Sequence, residues 1–369
     1  MKVLMQSRVT LFEVPGGDTI LIMKTKEYLE KLGIKVDVST ELQPDLKEYD
    51  IVHLFNLIRP QEVYSQAKNA KKQRKKVILS PIYHSYIEYD RKGREGLTKL
   101  LANLFESSQV EYMKVLARAI RNKEFHRGTL TLLMRSYGRL QKKILNLVDL
   151  FLPNSQAEMN RINKDFGLED FPYFIVPNAV DVNLFTNSNI KINKELEKFR
   201  DCVLCVARIE GSKNQLNVVR AIKNLPYNLV LVGKVAPNHK AYFAKIKMET
   251  ANTKNIYILG RVDSSLLPQL YSLAKVHVLA SWFETTGLSS LEAGIMSCNL
   301  VITDKGDAKE YFGDYAYYCE PNSVDSIRQA IMKAYESPVN PKLREHILNH
   351  YTWEKTAEKT LEAYRKIFI

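Results

Sequence analysis

The sequence has little cysteine. Cys202, Cys205, Cys298 and Cys319 are the four thiols in 369 residues, too few for a disulfide framework and readily kept reduced in a cytosol. Cys202 and Cys205 form a C-x-x-C inside an apolar run that ends at Val206, where alternate residues of a strand point to opposite faces. No second Cys or His pair completes a zinc ligand set, so buried strand thiols are expected. Long apolar runs are missing too. The nearest, Ile144 to Pro153, is interrupted by Asn146 and Asp149 and is well short of the ~18 residues of a membrane span; no bilayer crossing is expected. Met1 to Met5 lead straight into a strand pattern without the basic region, apolar core and cleavage site of an export signal, which points to the cytoplasm. Low-complexity tracts are absent, and 45% apolar with 26% charged residues is the composition of a folded protein.

Positive charge, by contrast, is plentiful. The net charge is +13, and between Arg59 and Lys143 there are 20 Lys or Arg against 7 Asp or Glu, so this stretch accounts for the whole imbalance. The run Lys71-Lys72-Gln73-Arg74-Lys75-Lys76 suits a solvated face, a nucleic-acid patch or attachment to anionic lipid. From Arg91 to Leu147 the pattern is helical, with Leu97, Leu100, Leu101 and Leu104 on one stripe, an amphipathic surface.

A chain of this length exceeds one ordinary α/β core and fits two. Strands are predicted at Lys2 to Met5, Lys35 to Val38, Ile51 to Phe55, Val77 to Ser80, Leu150 to Leu152 and Tyr173 to Val176. A helix after the Pro15-Gly16-Gly17-Asp18 loop places Leu21, Ile22, Tyr28, Leu29 and Leu32 at helical spacing and stops at Gly33. A linker is expected at Asn183 to Asn193, where apolar patterning fades. Strands then resume at Cys202 to Ala207, Leu229 to Val232, Ile256 to Leu259 and Val276 to Leu279, with a helix at Gln215 to Asn224. The alternation predicts an α/β fold of two Rossmann-like, doubly wound parallel sheets. Ligands of such sheets collect beyond the carboxyl ends of the strands.

Unusual residues lie in those loops. In Ala280-Ser281-Trp282-Phe283-Glu284-Thr285-Thr286-Gly287-Leu288-Ser289-Ser290-Leu291-Glu292-Ala293-Gly294 a loop glutamate precedes a helix that carries a second. Gly287 admits a ligand to the backbone, and the first amides of the helix can hold phosphate oxygens. Read alone, the two glutamates also suit a helix cap and a solvated surface. Arg208 and Lys213, five apart after the first strand of the same half, can neutralise a diphosphate; alone they too suit a solvated surface.

In combination these segments resemble the family 4 retaining glycosyltransferases of the GT-B fold. Gly16-Gly17, Asp50-Ile51-Val52-His53, Asn154-Ser155, Val176-Pro177-Asn178-Ala179-Val180-Asp181, Gly233, Gly260-Arg261-Val262 and Thr352-Trp353 follow in the family's order. The resemblance implies two Rossmann-like domains facing across a cleft. Residues 1–185 would bind the acceptor, residues 186–351 the nucleotide-sugar, and a terminal helix, 352–369, would cross back to the first domain. It implies that Arg208 and Lys213 bind the donor pyrophosphate and stabilise it as a leaving group, that Glu292 binds the ribose and that Glu284 binds the donor sugar. Thr286, Gly287 and Leu288 would touch sugar or phosphate, Val262 the base, and Gly17 would let the first domain approach the phosphate or acceptor. His84 resembles a histidine placed near the transferred sugar, with a structural histidine as the alternative. Ala179 stands where the family has Gly, and Gly306-Asp307-Ala308-Lys309-Glu310 matches its Gly-rich turn only loosely, so the sugar is left open.

The expected reaction moves a sugar from a UDP-, GDP- or ADP-sugar to a hydroxyl of a glycan or lipid-linked acceptor, with retention, in polysaccharide or glycolipid synthesis. No Asp-x-Asp occurs in the chain, which removes the usual carboxylate clamp for a metal on the donor phosphate; no metal or other cofactor is expected. An anionic membrane surface is a candidate partner of the basic amphipathic segment, with the protein peripheral on the inner face. The rivals are a nucleic-acid-binding protein, which leaves the second half unexplained, and a sugar-nucleotide-binding protein without catalysis.

Overall fold

The computed structural model describes every residue except Glu95, Glu106, 123–136, Glu169, 187–189 and Ile369. The chain forms two compact units, the first of Met1–His84, Leu100–Asn178 and Trp353–Ile369, the second of Ser85–Lys99 and Ala179–Thr352.

In the first unit β1 (Lys2–Gln6), β2 (Lys35–Ser39), β3 (Ile51–Phe55), β4 (Lys76–Ser80) and β5 (Leu150–Phe151) form a parallel sheet in the order β2-β1-β3-β4-β5. β3 is buried along its whole length, which is why it reads as an unbroken apolar run rather than an alternating one. On one face Val52, Leu54, Val77 and Leu79 pack against Val63, Ala67 and Ala70 of the Pro60–Lys72 helix and against Ile144 and Leu145. On the other, the Gly17–Lys31 helix packs beside the terminal Trp353–Lys366 helix. His53 ties that helix to the sheet, with Nδ1 2.7 Å from the Tyr364 hydroxyl and Nε2 2.9 Å from Ser80 Oγ. Burial lowers its pKa to about 3, so the ring is a neutral strut.

The second unit is a six-stranded parallel sheet of β6 (Cys202–Val206), β7 (Leu229–Val232), β8 (Ile256–Gly260), β9 (Ala274–Leu279), β10 (Asn299–Ile302) and β11 (Ala316–Tyr318), ordered β11-β10-β9-β6-β7-β8. Cys202 and Leu204 pack into the layer holding Leu279, Leu291 and Tyr311. Val203 and Cys205 pack into the opposite layer with Val218, Val276 and Ile331. The C-x-x-C is therefore split between two cores, and burial pushes both thiols up to about 12.

Several boundaries differ from the sequence reading. Tyr173 to Val176 is not a strand: Tyr173 makes a single bridge to Phe151, and although Phe174 N and Val176 N donate to Phe151 O and Pro153 O (2.9 Å each), Pro153 has no N–H to complete a second bridge. β10 and β11 were not anticipated. The first unit ends at Asn178 rather than 185, and Ser85–Lys99 belongs to the second unit. Thr356 Oγ1 donates to Pro177 O in the first unit (2.8 Å), while Val180 N donates to Tyr351 O in the second (3.0 Å). Of the expected amphipathic stretch, the helices Gly96–Leu104, Ser107–Asn122 and Tyr137–Leu145 are seen; 123–136 and the Leu97 side chain lie outside the described residues. So do 187–189 of the expected linker, which begins with a short helix, Val182–Phe185.

Gly233 closes the gap between the ends of β6 and β7. Its φ is 149°, and a Cβ there would lie 1.8 Å from Ala207 O. Gly233→Ala is expected to destabilise the second unit by about 2–4 kcal/mol through backbone displacement; a thermal unfolding curve superimposable on wild type would refute this.

Candidate functional site

The second sheet reverses direction between β6 and β9, since β7 and β8 build outward on one side and β10 and β11 on the other. A crevice opens at such a reversal, beyond the carboxyl ends of the two central strands. The loop after β6 carries Arg208 and Lys213; the loop after β9 carries Glu284. Lys213 Nζ donates to Glu284 Oε1 at 2.6 Å, with 20% and 12% of the two side chains exposed. Burial works against the Lys213 charge, but Glu284, Tyr86 and Glu210 outweigh it and hold the pKa above the usual lysine value.

Backbone contacts hold the two loops in register. Trp282 N donates to Ser212 O (2.9 Å), and Asn214 Nδ2 donates to Ala280 O (3.0 Å) and Pro321 O (2.7 Å). The loop after β10 supports Glu284 from its other side: Glu284 N donates to Lys305 O (3.2 Å) and Asp307 N to Glu284 O (2.9 Å). Gly306, at φ 90°, permits this approach, because a Cβ would lie 2.1 Å from Glu284 O. Arg208 is less constrained. More than half of its side chain is exposed, its Nη2 lies 3.5 Å from Glu210 Oε1, and its carbonyl accepts from Gln215 Nε2 (2.8 Å).

Thr286 is buried and Leu288 half-buried at the start of the Leu288–Ile295 helix. Gly287 enters it with φ 75°, ψ 69°, a left-handed conformation that favours glycine. Within the helix Glu292 accepts from the Tyr271 hydroxyl (2.9 Å). Burial raises the Glu292 pKa to about 7; Tyr271 opposes the rise and Asp181 adds to it. Val262, two residues past β8, packs half-buried against the same core.

Gly17 and His84 belong to the first unit. Its sheet reverses between β1 and β3, and Gly17 opens the helix that follows β1. Arg8, which sequence reasoning missed, ties the first turn of that helix to the loop before it: Nε donates to Asp18 Oδ2 (2.7 Å), and Nη2 to Asp18 Oδ1 (3.0 Å) and to Val14 O (2.8 Å). His84 Nδ1 lies 3.2 Å from the carbonyl of Ile82. Ile82 itself has φ 46°, a costly conformation for a β-branched residue. Eight of the ten expected site residues thus gather in the second unit, and two stay in the first. Tyr271, the partner of Glu292, and Tyr86, which acts on Lys213, were also missed; a lone tyrosine in a helix or loop carries no sequence signal of its own.

A parallel sheet of this order, with cations and carboxylates at its reversal, is a doubly wound α/β unit with a crevice at the carboxyl ends of its central strands. Residues 187–352, most of the second unit, match the family model for glycosyl transferases group 1. The serotype-specific mannosyltransferase WbdA of Escherichia coli is 26% identical over 167 residues, 43% of this chain and 20% of that protein. The Campylobacter jejuni N-acetylgalactosamine-N,N'-diacetylbacillosaminyl-diphospho-undecaprenol 4-alpha-N-acetylgalactosaminyltransferase is 26% identical over 229 residues, 60% of this chain and 58% of that protein. The chain therefore spans a fifth to somewhat over half of these relatives. The structure of Anabaena HepE in complex with UDP matches 99% of this chain and 100% of its own, with a TM-score of 0.72 at 16% identity. The fold is GT-B.

Because the folded Glu292 pKa of about 7 exceeds its ordinary value of 4.5, the folded state holds the extra proton between those pH values. The associated stability is present below about 4.5 and is lost as pH rises through 7. Glu292→Gln keeps an acceptor for Tyr271 and does not titrate, so its melting temperature should gain on wild type by a few degrees between pH 4.5 and 7.5. A difference that stays constant over that range would contradict the shift.

Proposed function

We propose that the protein is a retaining, metal-independent glycosyltransferase of family 4. It moves a sugar from a UDP-, GDP- or ADP-sugar to a hydroxyl of a glycan or lipid-linked acceptor, on the cytoplasmic side, in the synthesis of a surface polysaccharide or glycolipid. The observation that carries this reading is the Lys213–Glu284 ion pair across the strand reversal, with Arg208 exposed on the same loop. The diphosphate meets Arg208 and Lys213, which neutralise it as a leaving group. Glu284, held by the loop after β10, accepts from hydroxyls of the donor sugar. The Glu292 carboxylate takes the ribose hydroxyls, which replace Tyr271 or share the site with it, and Thr286, Gly287 and Leu288 line the backbone approach. Val262 borders the base. The roles of Gly17 and His84 toward donor and acceptor rest on the family resemblance.

In the reaction the bond from the anomeric carbon to the diphosphate oxygen breaks, and the acceptor oxygen bonds to the same face. The acceptor proton passes to the departing phosphate oxygen. The protein supplies orientation and fixed positive charge. The names of the Escherichia coli and Campylobacter jejuni relatives, which specify sugar transfer and, in the second, a diphospho-undecaprenol acceptor, support the substrate classes. The UDP of HepE supports a nucleoside diphosphate.

The test is thermal stabilisation by UDP, GDP and ADP, each without metal and with EDTA. One diphosphate should raise the melting temperature by mass action, EDTA should leave the shift intact, and Arg208→Ala should abolish it. No response to any of the three would remove the donor site; dependence on metal would remove the metal-independent mechanism.

The same proposal includes peripheral attachment to anionic lipid. Leu100, Leu104 and Phe105 are exposed in and just after the Gly96–Leu104 helix, beside the basic stretch. The full chain should sediment with phosphatidylglycerol vesicles at low salt and be released as salt screens the attraction. Absence of binding at low salt would exclude the attachment.

A further inference from the structure

The loop after β7 and the helix that follows it, Lys240–Thr250, supply none of the expected site residues, yet they hold the segment that carries Arg208 and Lys213. Along the backbone, Ile209 N donates to Lys234 O (3.0 Å) and Ala236 N to Ile209 O (3.1 Å). Two side chains at the start of the helix then take amides on either side of Lys213. Gly211 N donates to His239 Nδ1 (3.1 Å), and Leu216 N to the Tyr242 hydroxyl (2.9 Å). Gly211 opens a short 3-10 turn, Gly211–Lys213, and the first amides of such a turn have no partner within it. His239 supplies the missing acceptor. The turn is also closely seated, since a Cβ on Gly211 would lie 2.0 Å from the Tyr89 hydroxyl.

A backbone amide can only donate, so this bond fixes the state of the ring. Nδ1 is bare, the proton sits on Nε2, and the imidazole is neutral. Protonation would set an N–H of the ring against the N–H of Gly211, two donors head to head, and the bond would be lost. His239 is half-buried, within reach of solvent protons. The charged groups around it are Glu210 and Arg208 on the held segment and Arg94, just past the Tyr89–Gly93 turn. Tyr242 of its own helix meets the ring edge-on, 6.1 Å between centroids. Burial holds the His239 pKa below its ordinary value of 6.5, with Glu210 opposing and Arg94 and Arg208 adding to the effect. The neutral ring therefore prevails at neutral pH and gives way in acid.

We propose that His239 is a positioning residue of the diphosphate site: its bare Nδ1 holds the Gly211 amide, and with it the aim of Arg208 and Lys213, so that a nucleoside diphosphate binds more tightly while the ring is neutral. This rests on the glycosyltransferase reading above and adds to it control of the donor site by a proton. Affinity falls as pH falls through the His239 pKa. A direct contact between ring and ligand would have the opposite sign, because an imidazolium attracts phosphate.

The experiment is isothermal titration of the full chain with UDP, GDP and ADP over a range of about pH 5 to 8, for wild type, His239→Asn, His239→Leu and Arg208→Ala, with melting temperatures measured alongside. Asn presents an acceptor where Nδ1 stands and does not titrate; Leu presents none. At the alkaline end His239→Leu should bind the responding diphosphate about fivefold more weakly, the worth of one neutral hydrogen bond, and His239→Asn should recover most of that loss. Toward the acid end wild type should lose about threefold more affinity than His239→Asn. The ligand's terminal phosphate titrates in the same range, as phosphate esters do at about 6, but equally for both proteins, so their difference reads His239. If wild type and His239→Asn weaken in parallel while Arg208→Ala does not bind, the His239 assignment is wrong and the donor site stands. A gain of wild type on His239→Asn in acid marks direct contact with the ligand and overturns the positioning role. Should His239→Leu fail to fold, the comparison with His239→Asn decides alone. If wild type binds none of the diphosphates, the donor site and the His239 assignment fall together.

Discussion

The ion pair between Lys213 and Glu284 is the constraint around which the second unit is arranged. Its partners are 71 residues apart in the chain, and only the reversal of strand order between β6 and β9 brings their loops together. Removing two charges from water is expensive, and their attraction repays this only where the geometry is good and neighbouring groups complete the hydrogen bonding. The surroundings meet that condition. Ser212 and Trp282 join the loops through the backbone, Asn214 reaches two carbonyls, and Gly306 admits the close approach that fixes Glu284 from a third loop. The arrangement holds a cation and a carboxylate in place before any ligand arrives, which is how a protein lowers the reorganisation needed when charge develops.

Protonation follows the same economy of burial. His53 is held neutral, so it can link Ser80 to Tyr364 without a charge inside the first core. Glu292, partly buried beside Tyr271, is poised near neutrality. A ligand offering hydroxyl donors would favour its charged form. The four cysteines are buried, and the upward shift of all four thiols leaves them inert as nucleophiles.

Much of this was legible in the chain. Apolar runs such as Ile51–Phe55 and Leu229–Val232 gave strands at the positions where they are seen, because a strand covered on both faces has to be apolar throughout. β10 and β11 were passed over: β10 opens on the polar Asn299, and β11 has three residues. Tyr173 to Val176 looked like a strand by composition, but the neighbouring chain runs into Pro153, which has no N–H to extend the ladder beyond the Tyr173 bridge. The expected end of the first unit at 185 followed a polar cluster, whereas the chain leaves that unit at Asn178, where Thr356 holds the carbonyl of Pro177.

The sequence by itself determined most of the strands and helices, that two sheets form, and which residues of the loops after β6 and β9 carry charge and glycine, because periodicity and turn chemistry act over a few residues. Tertiary structure alone decided that Lys213 meets Glu284, that Tyr271 meets Glu292, that Arg8 grips Asp18, and that residues 85–93 fold with the second unit. Those contacts depend on strand order and on burial, which are properties of the assembled sheets and leave no periodic trace in the residues that make them.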